Sequence, residues 1–219
     1  SENYERRFIM TFPNETLPKG RKQKTTALYD RFVSKGAVMG DSFGLESVLW
    51  FANDPKDAYE EPTIKRSRSH DYVSKEVKNV RENVGVTEIA NFSKHEFQGP
   101  DARKFLDYVL AGRIPKPGRI CLNPMLTPKG KLYGDLTVAC LNDNKFIVFG
   151  SGAVQEMHRR WFENHLKDFN VIYKNRSDDF HGLALSGPKS RELLQKLVRE
   201  NISNENFKFR DVREMYVAG

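Results

Sequence analysis

The chain has 219 residues, 38% of them hydrophobic and 30% charged, with a formal net charge of +7. These values suit a soluble globular protein of one or two domains. No apolar run reaches the roughly 18 residues of a membrane span, and the positive excess, which lies after residue 72, is spread along helices and loops without a helix-turn-helix, RNP or zinc-finger signature, which argues against membrane and nucleic-acid partners.

The chain opens at Ser1 with no initiator Met and no visible signal peptide, so removal of a leader stays open. Residues 1–72 read as an irregular connecting segment and linker. Within it, Arg7–Phe12 has strand character and runs into Pro13. Thr26–Val33 reads as a short helix with Thr26 as its cap, stopped at Gly36. Gly36, Gly40 and Gly44 then precede Leu49-Trp50-Phe51, as in a segment laid over a neighbouring surface. Residues 53–72 are polar and charged.

From residue 73 the pattern tightens. Val77, Val80 and Val84 recur at helical spacing, and Gly85 ends that helix. Strands are expected over Val86–Ala90 and Lys94–Phe97. A helix follows from Pro100 to Leu110, with Phe105, Leu106, Val109 and Leu110 inward. Three strands come next, Arg119–Leu126, Lys131–Leu141 and Lys145–Phe149, the last two joined by the turn Asn142-Asp143-Asn144. A helix over 153–166, strands over Val171–Lys174 and Gly182–Leu185, and a helix over Pro188–Arg199 complete the chain.

An internal echo organises these elements. Glu96–Leu106 parallels Ala184–Leu194: each gives a strand, Gly-Pro, and a helix with Arg in its first turn. A repeated strand-turn-helix unit separated by antiparallel strands predicts an α+β fold, a split βαβ (ferredoxin-like) antiparallel sheet with helices on one face.

The chemistry centres on Tyr133-Gly134-Asp135. Asp is a poor strand residue, and its charge is costly to bury unpaired. Gly134 beside it signals a bulge or a close approach. Regular alternation puts Tyr133, Asp135 and Thr137 on one face and Leu132, Gly134, Leu136 and Val138 on the other. Asp135 is either an exposed edge residue or a carboxylate held for a ligand. Cys121 and Cys140 lie in apolar strand-like runs, as expected of buried thiols in a reducing compartment. The five histidines are scattered, and no metal site is expected.

The Gly-Pro echo and the Gly-Asp strand together give a resemblance. The chain resembles the folate-binding domain of the glycine-cleavage T-protein (aminomethyltransferase), and more closely the version fused behind an FAD domain in dimethylglycine and sarcosine dehydrogenases. The likeness is carried by Arg7-Phe8, Gly20-Arg21, Leu28–Arg31, Gly36-Ala37-Val38 and Leu49-Trp50-Phe51 in the connecting region. It continues through Val80-Arg81, Gly85-Val86, Gly99-Pro100, Met125-Leu126-Thr127, Gly134–Val138 and Leu183–Leu194. Two positions depart from that family's pattern: Leu122 stands where a Tyr is common, and Tyr133-Gly134-Asp135 keeps only the second of two acids. The Tyr-Thr-Gly-Glu-type motif that helps close the family's folate pocket does not occur before Gly219, so residues 73–219 are expected to be the first part of a folate domain that binds folate poorly alone.

The resemblance implies tetrahydrofolate as cofactor, with FAD in an upstream domain that would also be the partner of this chain. It implies oxidation of an N-methyl amine and passage of its one-carbon unit to folate, in a bacterial cytoplasm or a mitochondrial matrix. Asp135 is implied as the catalytic carboxylate. Tyr133, which alternation puts on the face of Asp135, Leu122 and Ser93 as pocket-wall positions, and Gly150 and Ser151 in a Gly-Ser-Gly turn that leaves room for ligand are implied as cofactor contacts. A non-catalytic docking module and a flavin-free, folate-dependent demethylase are the alternatives.

Overall fold

The computed structural model describes residues 2–12 and 15–219. Two compact units emerge: residues up to Glu88 with Leu183–Ser190, and Ile89–Gly182 with Arg191–Gly219. The first unit extends past residue 72 because a strand after residue 84 pairs with one after residue 182.

The first unit contains the short helices α1 (Glu2–Glu5) and α2 (Tyr29–Ser34), the strands β1 (Ala37–Ser42) and β2 (Leu45–Phe51), helix α3 (Ser69–Glu82) and strand β3 (Gly85–Glu88). Arg7–Phe12 does not form the expected strand, and Phe8, Ile9 and Met10 stay exposed; Pro13 lies outside the described residues. The expected Thr26 cap is not formed either, since α2 starts at Tyr29 after Leu28. What read as a glycine ladder is an antiparallel hairpin, β1 on β2, turned by Phe43-Gly44 with both residues at positive φ. Its core is Val38, Trp50 and Ala52 packed with Tyr72 and Val73 of α3. Polar groups are paired on the way in: Trp50 Nε1 donates to Glu60 at 2.8 Å, and the buried Glu46 receives Arg21 Nε at 3.0 Å.

The second unit runs β4 (Phe92–Gln98), α4 (Ala102–Val109), β5 (Arg119–Leu126), β6 (Leu132–Asn142), β7 (Lys145–Ser151), α5 (Gln155–His165) and β8 (Ile172–Asn175). The five strands form one antiparallel sheet in the order β5-β6-β7-β4-β8. Because β4 is inserted between β7 and β8, β7-α5-β8 is a split βαβ unit, as the expected fold requires, although neither half of the echo forms it. Both long helices lie on one face. Phe105, Leu106 and Val109 of α4 and Phe162 of α5 meet Phe97, Met125, Leu136, Val138, Phe146 and Val148 of the sheet, all essentially buried.

Strand β9 (Leu183–Ser186) leads into α6 (Ser190–Gln195). It pairs with β3, so the second half of the echo serves a different sheet from the first. The device is nevertheless the same. Gly99 and Gly187 have φ of 144° and 115°, and a Cβ on either would lie 2.4–2.5 Å from a carbonyl oxygen, of Asn170 and Asn83 respectively. Only glycine turns the chain there. The final helix is shorter than expected. The chain after it is held by Arg191, whose Nη1 donates to the carbonyls of Ile202 and, at 3.1 Å, Phe207. Arg191→Ala strands those carbonyls and is expected to cost about 1–3 kcal/mol, read as a lower urea midpoint at unchanged m.

Candidate functional site

Residues 134, 136, 138 and 140 of β6 point to the helices, so Asp135 and Thr137 point to the opposite face of the sheet. Asp135 lies opposite Pro124 of β5, and Thr137 lies between Leu122 of β5 and Phe149 of β7. Leu122 and Leu132 on this side are each 66% exposed. Among the described residues Asp135 forms no ion pair and no side-chain hydrogen bond. It is an exposed carboxylate one strand in from the sheet edge, on a face it shares with Leu122, Pro124, Leu126, Leu132, Thr137 and Phe149 and, on β4, Lys94. Such a face offers flat apolar area to a ring and one anion to a polar or cationic group on that ring.

The bulge expected beside Gly134 is present. Met125 pairs with Gly134 and Leu126 with Leu132, so Tyr133 is the extra residue. This corrects the expected face of Tyr133. The bulge breaks the alternation, Leu132 joins the side of Asp135, and the Tyr133 ring packs on Trp161 of α5 with ring centres 4.5 Å apart.

Behind the strand lies a buried polar cluster that sequence reasoning missed. His95 of β4 is fully buried, with Nδ1 2.8 Å from the Tyr173 hydroxyl and Nε2 3.1 Å from Ser93 Oγ. The His158 ring of α5 sits 6.2 Å from it, edge to face. Burial holds both imidazoles below their ordinary range, and His95, also facing His158, is pushed down to about 4. Burial likewise raises the Tyr173 hydroxyl.

The remaining expected contacts fall in two places. Leu122 shares the face of Asp135. Ser93 and Gly150 pair across β4 and β7 and face the helices: Ser93 is fully buried on His95, and a Cβ on Gly150 would lie 2.8 Å from Leu136 and 2.9 Å from His158. The space beside Gly150 is filled by core, not open to ligand. Ser151 ends β7, exposed, and leads into a 3-10 turn at Gly152–Val154, so Gly150-Ser151-Gly152 is not a loop turn. The matched glycines 134 and 150 on neighbouring strands were the available signal for the ring above them.

Other features carry less chemistry. The first unit has a concavity of about 500 Å³. Its charged walls are engaged already, Arg6 with Glu15 at 2.7 Å and Arg21 with Glu46. No cluster of three or more His, Cys, Asp or Glu side chains suited to a metal occurs among the described residues. Cys140 is buried and Cys121 half-buried, both free, with burial raising both thiols. No helix among the described residues is long and apolar enough to cross a membrane.

Comparison with known proteins adds the family. The family described as "GCVT N-terminal domain" matches residues 28–219. Human mitochondrial dimethylglycine dehydrogenase is 34% identical over 221 residues, covering 99% of this chain and 25% of that protein. An aminomethyltransferase of Thermotoga maritima is 26% identical over 198 residues, covering 90% of this chain and 49% of the relative. The chain thus spans about a quarter to a half of these relatives. The crystal structure of the glycine cleavage system aminomethyltransferase T from Bartonella henselae superposes with a TM-score of 0.69 at 20% identity, over 89% of this chain and 48% of that one, and shares the fold.

Proposed function

Since the chain belongs to the GCVT N-terminal domain family, we propose that it is the folate-binding part of an enzyme that passes a one-carbon unit from an oxidised N-methyl amine to tetrahydrofolate. One observation carries this reading: among the described residues Asp135 makes no ion pair or side-chain hydrogen bond, and it stands exposed beside Leu122 and Leu132 on the face of the sheet opposite α4 and α5. That face suits a reduced pterin and its aminobenzoyl ring, which need flat apolar contact and one carboxylate beside a basic nitrogen. Tetrahydrofolate, when bound, supplies the nitrogens that accept the one-carbon unit.

The protein's own part is positional and electrostatic. Leu122, Leu132 and Phe149 remove water from the ring they cover, which strengthens every charge interaction beside them. Asp135 stabilises positive charge that develops on the one-carbon unit, and accepts a proton from the attacking nitrogen as it forms its new bond. Strand alternation aims this carboxylate outward, and the bulge turns Tyr133 beside it into the core against Trp161. FAD, in this reading, works in a separate oxidising domain, because these residues offer no glycine-rich strand-to-helix turn for a dinucleotide. A mitochondrial matrix or bacterial cytoplasm would keep the two free thiols reduced.

The test is titration of the full-length protein with tetrahydrofolate, followed by backbone amide shifts. Saturable shifts are expected at Leu122, Asp135, Thr137 and Phe149 and not at the inward Val138 and Val148. Shifts confined to other surfaces, or no saturable binding, would refute the reading.

A further inference from the structure

A buried imidazole stands directly behind the Asp135 strand and has no assigned task. His158 is 1% exposed. Neither of its ring nitrogens reaches a partner at hydrogen-bond geometry among the described residues. An unsatisfied buried polar group costs about 1–3 kcal/mol, and an apolar side chain in its place would avoid that cost. The sheet is nevertheless shaped to receive it. A Cβ on Gly134 would lie 3.0 Å from Nε2, and a Cβ on Gly150 would lie 2.9 Å from Nδ1. Two neighbouring strands therefore carry glycine where the ring sits, and Met125 and Leu136 wall the same notch. The main chain of Tyr133, the extra residue of the bulge, favours the charged form of the ring without completing a well-aligned hydrogen bond to it. Ring, glycine and bulge converge on the three residues that end in Asp135.

We propose that His158 is a positioning residue for Asp135: its imidazole, seated in the glycine notch, supports the bulged backbone Tyr133-Gly134-Asp135 from behind and fixes the direction of the carboxylate on the far face. The proposal rests on the reading of Asp135 given above. His158 itself touches no substrate, since the sheet separates it from that face. It acts on the backbone that carries the acid, and small errors in such placement are expensive: a displacement of about 1 Å can cost about 10²-fold in rate.

The test uses the full-length protein with His158→Leu, which keeps bulk and removes both nitrogens. Gly134→Ala is the second variant, because its new methyl group pushes the ring away without removing it. Backbone order parameters at 133–135 are expected to fall from the rigid range of about 0.85 toward about 0.6, with Cys140 and Val148 unchanged. The transfer rate is expected to fall about 10–100-fold while tetrahydrofolate affinity stays within about twofold. In the Asp135→Asn background either variant should slow transfer no further, because the effect passes through Asp135. Unchanged order at 133–135, a loss of order spread evenly over the sheet, or a full additional rate loss without the Asp135 carboxylate would overturn the proposal. If order falls locally but Asp135→Asn transfers normally, the positioning stands and the catalytic reading of Asp135 falls.

Discussion

Asp135→Asn is expected to lower one-carbon transfer to tetrahydrofolate by about 10²–10⁴-fold, the range for one positioned acid–base group. The fold should not change. Asp135 is exposed and makes no ion pair or side-chain hydrogen bond among the described residues, so nothing inside the protein loses a partner. Substitution of surface groups without such ties usually stays within about 0.5 kcal/mol. Oxidation of the amine, measured as flavin reduction in a full-length enzyme, should continue at its normal rate. The one-carbon unit should then escape as free formaldehyde. Methylene-tetrahydrofolate and formaldehyde assayed side by side separate the possibilities. If the yield of methylene-tetrahydrofolate is unchanged in the variant, Asp135 is an ordinary exposed strand residue and the chain is better read as a docking module.

Much of the path to Asp135 was legible in the chain, because local chemistry dictated it. Arg119–Leu126 was read as a strand with the bounds it has, since Gly118 on one side and the turn Thr127-Pro128-Lys129-Gly130 on the other bracket it. The glycines of both Gly-Pro steps were read as turns, and both occupy backbone space that only glycine allows. The failures share a cause: they depend on what a partner strand or a distant element does. Tyr133 was put on the wrong face because one extra residue in a ladder is invisible until the opposite strand sets the register. The hairpin of β1 and β2 was missed because its turn is Phe43-Gly44, with a bulky residue where Asn or Gly would have announced the conformation. Ser93, His95, His158 and Tyr173 converge from β4, α5 and β8, far apart in the chain. Their types could be read in order, but not their meeting.

That meeting makes the fold acid-sensitive in a specific window. His95 faces Ser93 on its own strand, Tyr173 on β8, and His158 and Phe162 on α5; the Glu156 carboxylate on α5 favours its charged form, but less than burial opposes it. Its folded value of about 4 lies below the ordinary 6.5, so the unfolded chain takes up a proton first as pH falls. The stabilisation is complete above about pH 6.5, declines as pH drops, and is lost by about pH 4. The difference corresponds to about 3 kcal/mol, at about 1.4 kcal/mol per pH unit. His158, shifted the same way by burial, steepens the loss. Urea unfolding at pH 7.5 and 4.5 should therefore show wild type losing about 2–3 kcal/mol more than His95→Gln, which keeps hydrogen-bonding groups near Ser93 and Tyr173 but cannot titrate. Carboxylates titrate equally in both proteins, so the comparison cancels them. Equal losses in the two would mean that His95 is charged or solvated in the folded state, and the buried cluster would not be the source of the acid limit.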